Sequence, residues 1–471
     1  MTDRPLWQLS ACEQAEAIAA GEISSKQAVA ASIERMDERN GAINAIVDAF
    51  ADEAIAQAEA LDETLKRSGP VGPLHGVPIT IKENVDQEDK TTPNGVVAFK
   101  DIVAPGDAPL VANFKRAGAV VIGRTNTPEF SYRVTTDNEL HGRTFNPWND
   151  WASPGGSSGG AGAAVMSGMG AIAHGNDIAG SLRYPAAATG ATSVKPSTAR
   201  IPVFNPSARA ERGLLAQLMS VQGVIAREVR DVRLAMRALV QRNPHDPWMV
   251  PLPFDGETLP TPIKVAFTKN TFEFDLHPAV ERALDTAVAA LREAGYEVTE
   301  VEPPLIREIA SEAGKCLFSE ISMLMDDDIR KYGSKTLNDI FRNYYEYFGL
   351  YEGADFIRAL AHRTHYAREW SLFMEQYPLV LTPFLPHPTY KWNRDTEGLE
   401  GVVEVMGSAV YVCSMNFLGL PAGNVPADYN NGLPIGVQIV GRRFREDLIL
   451  DACEAIEQRV GVMASRLFER G

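Results

Sequence analysis

Short continuous apolar runs alternate along this chain with longer stretches in which apolar positions return every three or four residues. The run at 77–81 (VPITI) predicts a buried strand, 109–118 a helix, 119–122 a second strand and 161–169 another helix. Residues 182–188 continue as a helix. Residues 278–295 form an amphipathic helix that starts on Pro278 and leads into a strand at 296–301. Elements that alternate in this way predict an α/β fold, a sheet with helices on both faces. Residues 242–262 are rich in Pro, with Asp and Asn, and read as a connection. From 306 to 376 the pattern is helical and carries the aromatics Phe341, Tyr344, Tyr345, Tyr347, Phe348 and Tyr351. That cluster is either the core of a helical layer or a wall facing a substrate.

Two segments fit neither core nor linker. Residues 153–196 set Ser157 and Ser181 in Gly-rich stretches, with no charged residue between Ser157 and Asp177. Such Gly and Ser density signals a flexible loop, yet 163–166 and 171–174 are apolar enough to be buried. The other segment places Lys82 directly after the strand at 77–81. A lysine there is costly unless it is paired, neutral or working. Acyl transfer at a C–N bond needs a nucleophile, a base that can later act as acid, and donors for the developing oxyanion. An ordinary lysine, with pKa near about 10.4, is charged at neutral pH and accepts no proton, so Lys82 must be desolvated to serve as base. The run Ile178-Ala179-Gly180-Ser181 precedes a helix, so its N–H groups can converge on one point as an anion nest. Asp177 and Arg183 flank that turn and read as a structural pair.

Other motifs are weaker. Gly155 to Gly159 also fits the G-x-S-x-G elbow of an α/β-hydrolase, which would make Ser157 the nucleophile of a histidine-dependent carboxylesterase. Its context is wrong, because 146–151 is turn-rich where an elbow needs a strand. His362 and His365 share a helix face but lack a third metal ligand. With no phosphate loop and no strand-linked dinucleotide fingerprint, neither metal nor cofactor is expected.

The segments around Lys82, Ser157 and Ser181 resemble the amidase signature family of serine amidohydrolases, as do 19–47 and 416–450 near the two ends. The match is thinnest from 242 to 389. The resemblance implies Ser181 as nucleophile, Ser157 as a bridging serine after a cis Gly156–Ser157 peptide, and Lys82 as base. It implies an oxyanion hole from the N–H groups of Ile178, Ala179, Gly180 and Ser181, with Asp177, Arg183 and Ser158 in structural support. The fold implied is a single large domain over 1–471, a central mixed, twisted β-sheet covered by helices on both faces. Within it, 1–70 is expected to be an N-terminal helical segment, 71–240 the signature core, and 300–390 a variable helical region on the substrate side. The chain departs from the family at Ala179, where Gly is usual, and at Asn176, where Ser or Thr usually precedes the aspartate. Ser220 to Val224 lacks the Asp and Gly-Pro that many members carry nearby, which weakens the reading as an ammonia-donating subunit of a tRNA-dependent amidotransferase. The resemblance implies a small amide, anilide or carbamate as substrate, with the aromatic stretch favouring an aryl group.

Composition bounds the partners. With 45 Lys plus Arg against 61 Asp plus Glu, the net charge is −16 and no basic run stands out, which disfavours nucleic acid and anionic membranes. Cys12, Cys316, Cys413 and Cys453 are scattered and read as reduced thiols. No apolar leader opens the chain and no run approaches a membrane span, so a soluble, cytoplasmic enzyme is expected, with a homodimer open to it.

Overall fold

The computed structural model describes residues 4–470. The run at 77–81 forms β2 (Pro78–Lys82), and the run after 119 forms β3 (Val120–Thr125); every residue of both is buried. Strands covered on both faces read as continuous apolar runs, which is why these two are legible in the sequence. Around them lie β1 (Ile46–Ala49), β4 (Ile172–Asp177), β5 (Thr192–Lys195), β6 (Val221–Ala226) and β7 (Lys264–Phe267). The sheet is completed by β8 (Glu297–Glu300), β9 (Leu379–Pro383), β10 (Ala422–Asn430) and β11 (Leu433–Gly441). All eleven join one sheet in the order β1-β3-β2-β4-β6-β5-β10-β11-β9-β7-β8. It is mixed: β2 runs parallel to β3 and β4, whereas β4 pairs antiparallel with β6 and β10 with β11.

Successive residues of a strand face opposite sides, and here they feed separate cores. Val265, Phe267, Leu379 and Leu381 pack with the helices Val229–Leu239, Pro278–Glu293 and Glu446–Val460. Ala266 and Val380 enter the other core, beneath Ile306–Leu324, Lys335–Phe348 and Gly353–Gln376. Local chemistry sets the helix starts. Pro278 opens its helix where a missing N–H costs nothing, and His277 Nδ1 accepts from Ala279 N at 3.1 Å. Reciprocal capping boxes, Ser10 with Glu13 and Ser24 with Gln27, begin two helices near the N-terminus.

Two boundaries differ from the sequence reading. The segment 1–70 is not helical throughout, since β1 lies within it and pairs with β3 at the sheet edge. The region 300–390 likewise contributes β9, a buried strand between β11 and β7. Both are short, and periodicity is a weak signal over so few residues. The aromatic cluster is largely core: Phe341 and Tyr344 are buried, packed with Phe318 at ring distances of 6.3 and 4.7 Å. Among the described residues no single helix is long and apolar enough to cross a membrane.

Candidate active site

Because β2 and β4 are adjacent and parallel, their carboxyl ends lie side by side, the usual location of a site in an α/β sheet. β2 ends on Lys82 and β4 on Asp177. The Lys82 side chain is fully buried; Nζ lies 2.7 Å from Ser157 Oγ, within hydrogen-bond distance, and donates to Asn176 Oδ1 at 2.9 Å. Burial pulls its pKa well below the ordinary lysine value, with Asp177 and then Glu83 opposing. Neither carboxylate is free to pair with it. Glu83 accepts from Gly95 N at 2.7 Å and meets His141 Nε2 at 2.9 Å, while Asp177 is committed to Arg183.

Ser157 precedes the helix Gly159–Met166, and its own preceding peptide, Gly156–Ser157, is cis as expected. The glycines before it bring backbones together. A Cβ on Gly155 would lie 2.7 Å from the Tyr184–Pro185 backbone, and one on Gly156 would lie 2.6 Å from that of Arg133 and Val134. This is the physical meaning of the Gly-rich run: it is a close-packed layer, not a linker. Ser158 ties the layer to the next loop through N to Ser181 O at 3.3 Å and Oγ to Asn176 O at 3.4 Å.

Asp177 and Arg183 form the expected pair, wholly buried and bidentate, with Nε to Oδ2 at 3.0 Å and Nη2 to Oδ1 at 3.1 Å. Burial by itself would raise the Asp177 pKa; the guanidinium outweighs it and holds the carboxyl at about 2. The same carboxylate accepts from Gly180 N at 2.7 Å and Leu182 N at 3.1 Å, curling the turn around itself. One expectation is thereby corrected. The Gly180 N–H is spent inside the turn on Asp177 and is not a free oxyanion donor. The N–H groups of Ile178, Ala179 and Ser181 find no acceptor among the described residues. Ala179 is not among the residues with positive φ, so its methyl group strains nothing; Gly180 is, at φ +114°. Ser181 is 9% exposed at the end of this turn, and its Oγ forms no hydrogen bond to Ser157 in this geometry.

Three participants escape a reading of the sequence. Asn176 stands out there only as a departure from the family pattern, yet it supplies the second acceptor for Lys82. Asn84 forms a reciprocal amide pair with it, Asn176 Nδ2 to Asn84 Oδ1 at 2.9 Å and Asn84 Nδ2 to Asn176 Oδ1 at 3.3 Å. His174 Nδ1 accepts the Lys82 N–H at 3.3 Å, and Nε2 meets Gln222 Oε1 at 2.9 Å. Burial lowers the His174 pKa to about 3, so the ring is neutral. Among the described residues no histidine ring bonds to Ser157 or Ser181, and no strand leads into Ser157, which removes the basis of the histidine-dependent esterase. His362 and His365 meet Tyr366 on the helix Gly353–Gln376, edge-on and tilted respectively, outside the site.

Likeness to proteins of known activity runs across nearly the whole chain. Indoleacetamide hydrolase of Bradyrhizobium diazoefficiens is 47% identical over 466 residues, 99% of this chain and 89% of its own. A glutamyl-tRNA(Gln) amidotransferase subunit from Moorella thermoacetica is 30% identical over 96% of this chain and 97% of its own. The crystal structure of a bacterial aryl acylamidase of the amidase signature family superposes with a TM-score of 0.84 at 26% identity, covering 99% of both chains. The Amidase family itself matches residues 27–450, and the chain belongs to that family.

Proposed function

We propose that this amidohydrolase cleaves the C–N bond of a small arylalkyl amide through a Ser181 acyl-enzyme, with Ser157 relaying protons to and from Lys82. Ser181 Oγ attacks the carbonyl carbon while its proton passes to Ser157 Oγ, whose own proton passes to the neutral Lys82 amine. The oxyanion so formed lies against the N–H groups of Ile178, Ala179 and Ser181. As the C–N bond breaks, the ammonium returns its proton through Ser157 to the departing nitrogen. Water, deprotonated by the same relay, then releases the acid and restores Ser181.

The observation that carries this reading is the fully buried Lys82 Nζ at 2.7 Å from Ser157 Oγ, desolvated as a base must be. The 47% identity to indoleacetamide hydrolase favours an arylacetamide, with ammonia as the leaving group. Anilides and aryl carbamates present the same carbonyl–nitrogen bond and form the second tier of substrates, supported by the structural likeness to an aryl acylamidase. Likeness to the amidotransferase component supports a different reading, release of ammonia to a partner enzyme. Against it, Ser220 to Val224 lacks the Asp and Gly-Pro that many family members carry nearby, and Gln222 is buried against His174.

The purified chain alone, given indoleacetamide, an anilide and an aryl carbamate, tests the choice. Turnover of indoleacetamide above the other two is expected. Silence on all three without a partner would overturn the proposal in favour of the partner-dependent ammonia donor.

A further inference from the structure

An ammonium carries three N–H donors, whereas a neutral amine carries two and one lone pair. The buried pocket around Lys82 Nζ offers two oxygens, Ser157 Oγ and Asn176 Oδ1. A neutral amine fits by donating to Asn176 and turning its lone pair to the Ser157 hydroxyl. Either form leaves one N–H without an acceptor there, but in the ammonium that N–H belongs to a buried, uncompensated charge, the costlier state.

The orientation of Asn176 decides whether that fit exists, and Asn84 fixes it. Asn176 Nδ2 donates to Asn84 Oδ1 at 2.9 Å, so Asn176 Oδ1 must face Lys82; the flipped amide would set donors against donors. Asn84 is itself held, its Nδ2 donating to Ser131 Oγ at 2.9 Å and that hydroxyl to Asn94 Oδ1 at 2.6 Å. The pair is uncharged. Resting on the proposed role of Lys82 as base, we propose that Asn84 and Asn176 form a neutral amide clamp that aims the Lys82 amine at Ser157. Asn176 is the positioning residue, and its lack of charge is what leaves the amine free to accept a proton.

The charged groups around Lys82 are otherwise occupied. Glu83 is bound to Gly95 and His141, and Asp177 to Arg183. Arg124, on β3, donates to the carbonyls of Thr91, Glu83 and Val85. His174, on β4, is neutral. The helix Gly159–Met166 above the site carries no charge. Asn176→Asp would therefore place the first carboxylate in contact with Nζ.

The experiment is the pH dependence of kcat/KM for wild type, Asn176→Asp, Asn176→Ser and Lys82→Ala on one amide. Lys82→Ala should be inactive throughout; turnover retained there would sink the base reading itself, and the clamp with it. With Lys82→Ala inactive, Asn176→Asp should move the acid limb upward by at least about one pH unit, tenfold in rate at a fixed pH below it, with recovery on the alkaline side. A limb still rising at the highest pH measured counts as the same result. Asn176→Ser, which restores a neutral acceptor, should keep the limb at its wild-type position. If the Asn176→Asp limb coincides with wild type, or its rate falls equally at every pH, the clamp proposal is overturned while Lys82 remains the base. Should Asn176→Asp fail to fold, a shifted limb in Asn176→Ser would equally overturn the proposal, and an unshifted one would support it.

Discussion

Arg183 offers the sharpest test of what holds the turn that leads into Ser181. Replacing it with Met keeps most of the volume and removes the cation. In the native fold the guanidinium gives two hydrogen bonds to Asp177 and others to Val412 O, Gln438 Oε1 and Asn416 Oδ1, at 3.1, 2.8 and 2.6 Å. Without it the Asp177 carboxylate stays buried with only the Gly180 and Leu182 N–H groups and the Asn416 amide for compensation. Removing one partner of such a pair costs roughly 3 to 5 kcal/mol. In urea the midpoint should fall by on the order of 1 M, read by the fluorescence of the six tryptophans. The pH dependence carries the sign. In wild type the Asp177 pKa is lowered from 3.8 to about 2, so its contribution of about 2 kcal/mol is complete above the unfolded value and is lost as pH falls through 2. In Arg183→Met burial is opposed only by Lys195 and the remaining N–H donors, so the pKa moves up and, relative to wild type, the carboxylate's stabilising contribution is lost as pH rises. The gap between the proteins should be widest at pH 7.5 and should narrow towards pH 4. Asp177→Asn combined with Arg183→Met should recover much of the loss, since no charge is then stranded. A single variant within about 1 kcal/mol of wild type, or a gap that ignores pH, would refute the argument.

Other outcomes are as definite. Ser181→Ala should abolish labelling by a fluorophosphonate probe; a variant still labelled at Ser157 would transfer the nucleophile's role to that residue. Lys82→Arg should fare no better than Lys82→Ala on an amide, because guanidinium stays protonated at any working pH; near-normal turnover in Lys82→Arg would make Lys82 a structural residue. Ala179→Gly should leave kcat within a few-fold of wild type. Gly180→Ala should cost about 10²- to 10³-fold in kcat, since a Cβ there would lie 2.5 Å from both Tyr184 and Val412 at a φ that L-residues avoid. Equal kcat values for these two variants would show that the turn does not set the oxyanion geometry.

What is legible in the sequence follows from how local each signal is. β2 and β3 can be read because burial on both faces leaves continuous apolar runs, and the helix at 278 because a proline marks its first turn. β1 and β9 cannot, because a short strand within a helical region is defined by its partner across the sheet. Lys82 stands out as a charge at the end of an apolar run, and the serines stand out against glycine. Asn84 and His174 do not, since an ordinary polar residue gains meaning only from the atom it faces. The loss of Gly180 as a donor is equally hidden: its N–H direction is set by the Asp177 carboxylate three residues back, an acceptor that no local spacing rule reveals.

The glycine layer before Ser157 bears on how this scaffold can be altered. Where main chain lies on main chain, with 2.6 to 2.7 Å left for any added methyl group, there is no side-chain vocabulary with which to vary the reacting floor. Mutational libraries spread over 153–160 would mostly produce unfolded protein. Between the helices of 306–376 side chain meets side chain, as where Phe318 packs on Phe341 and Tyr344, so volume can be exchanged there residue by residue. Variation in this scaffold is best confined to such side-chain contacts, with the glycine layer left untouched as fixed tooling.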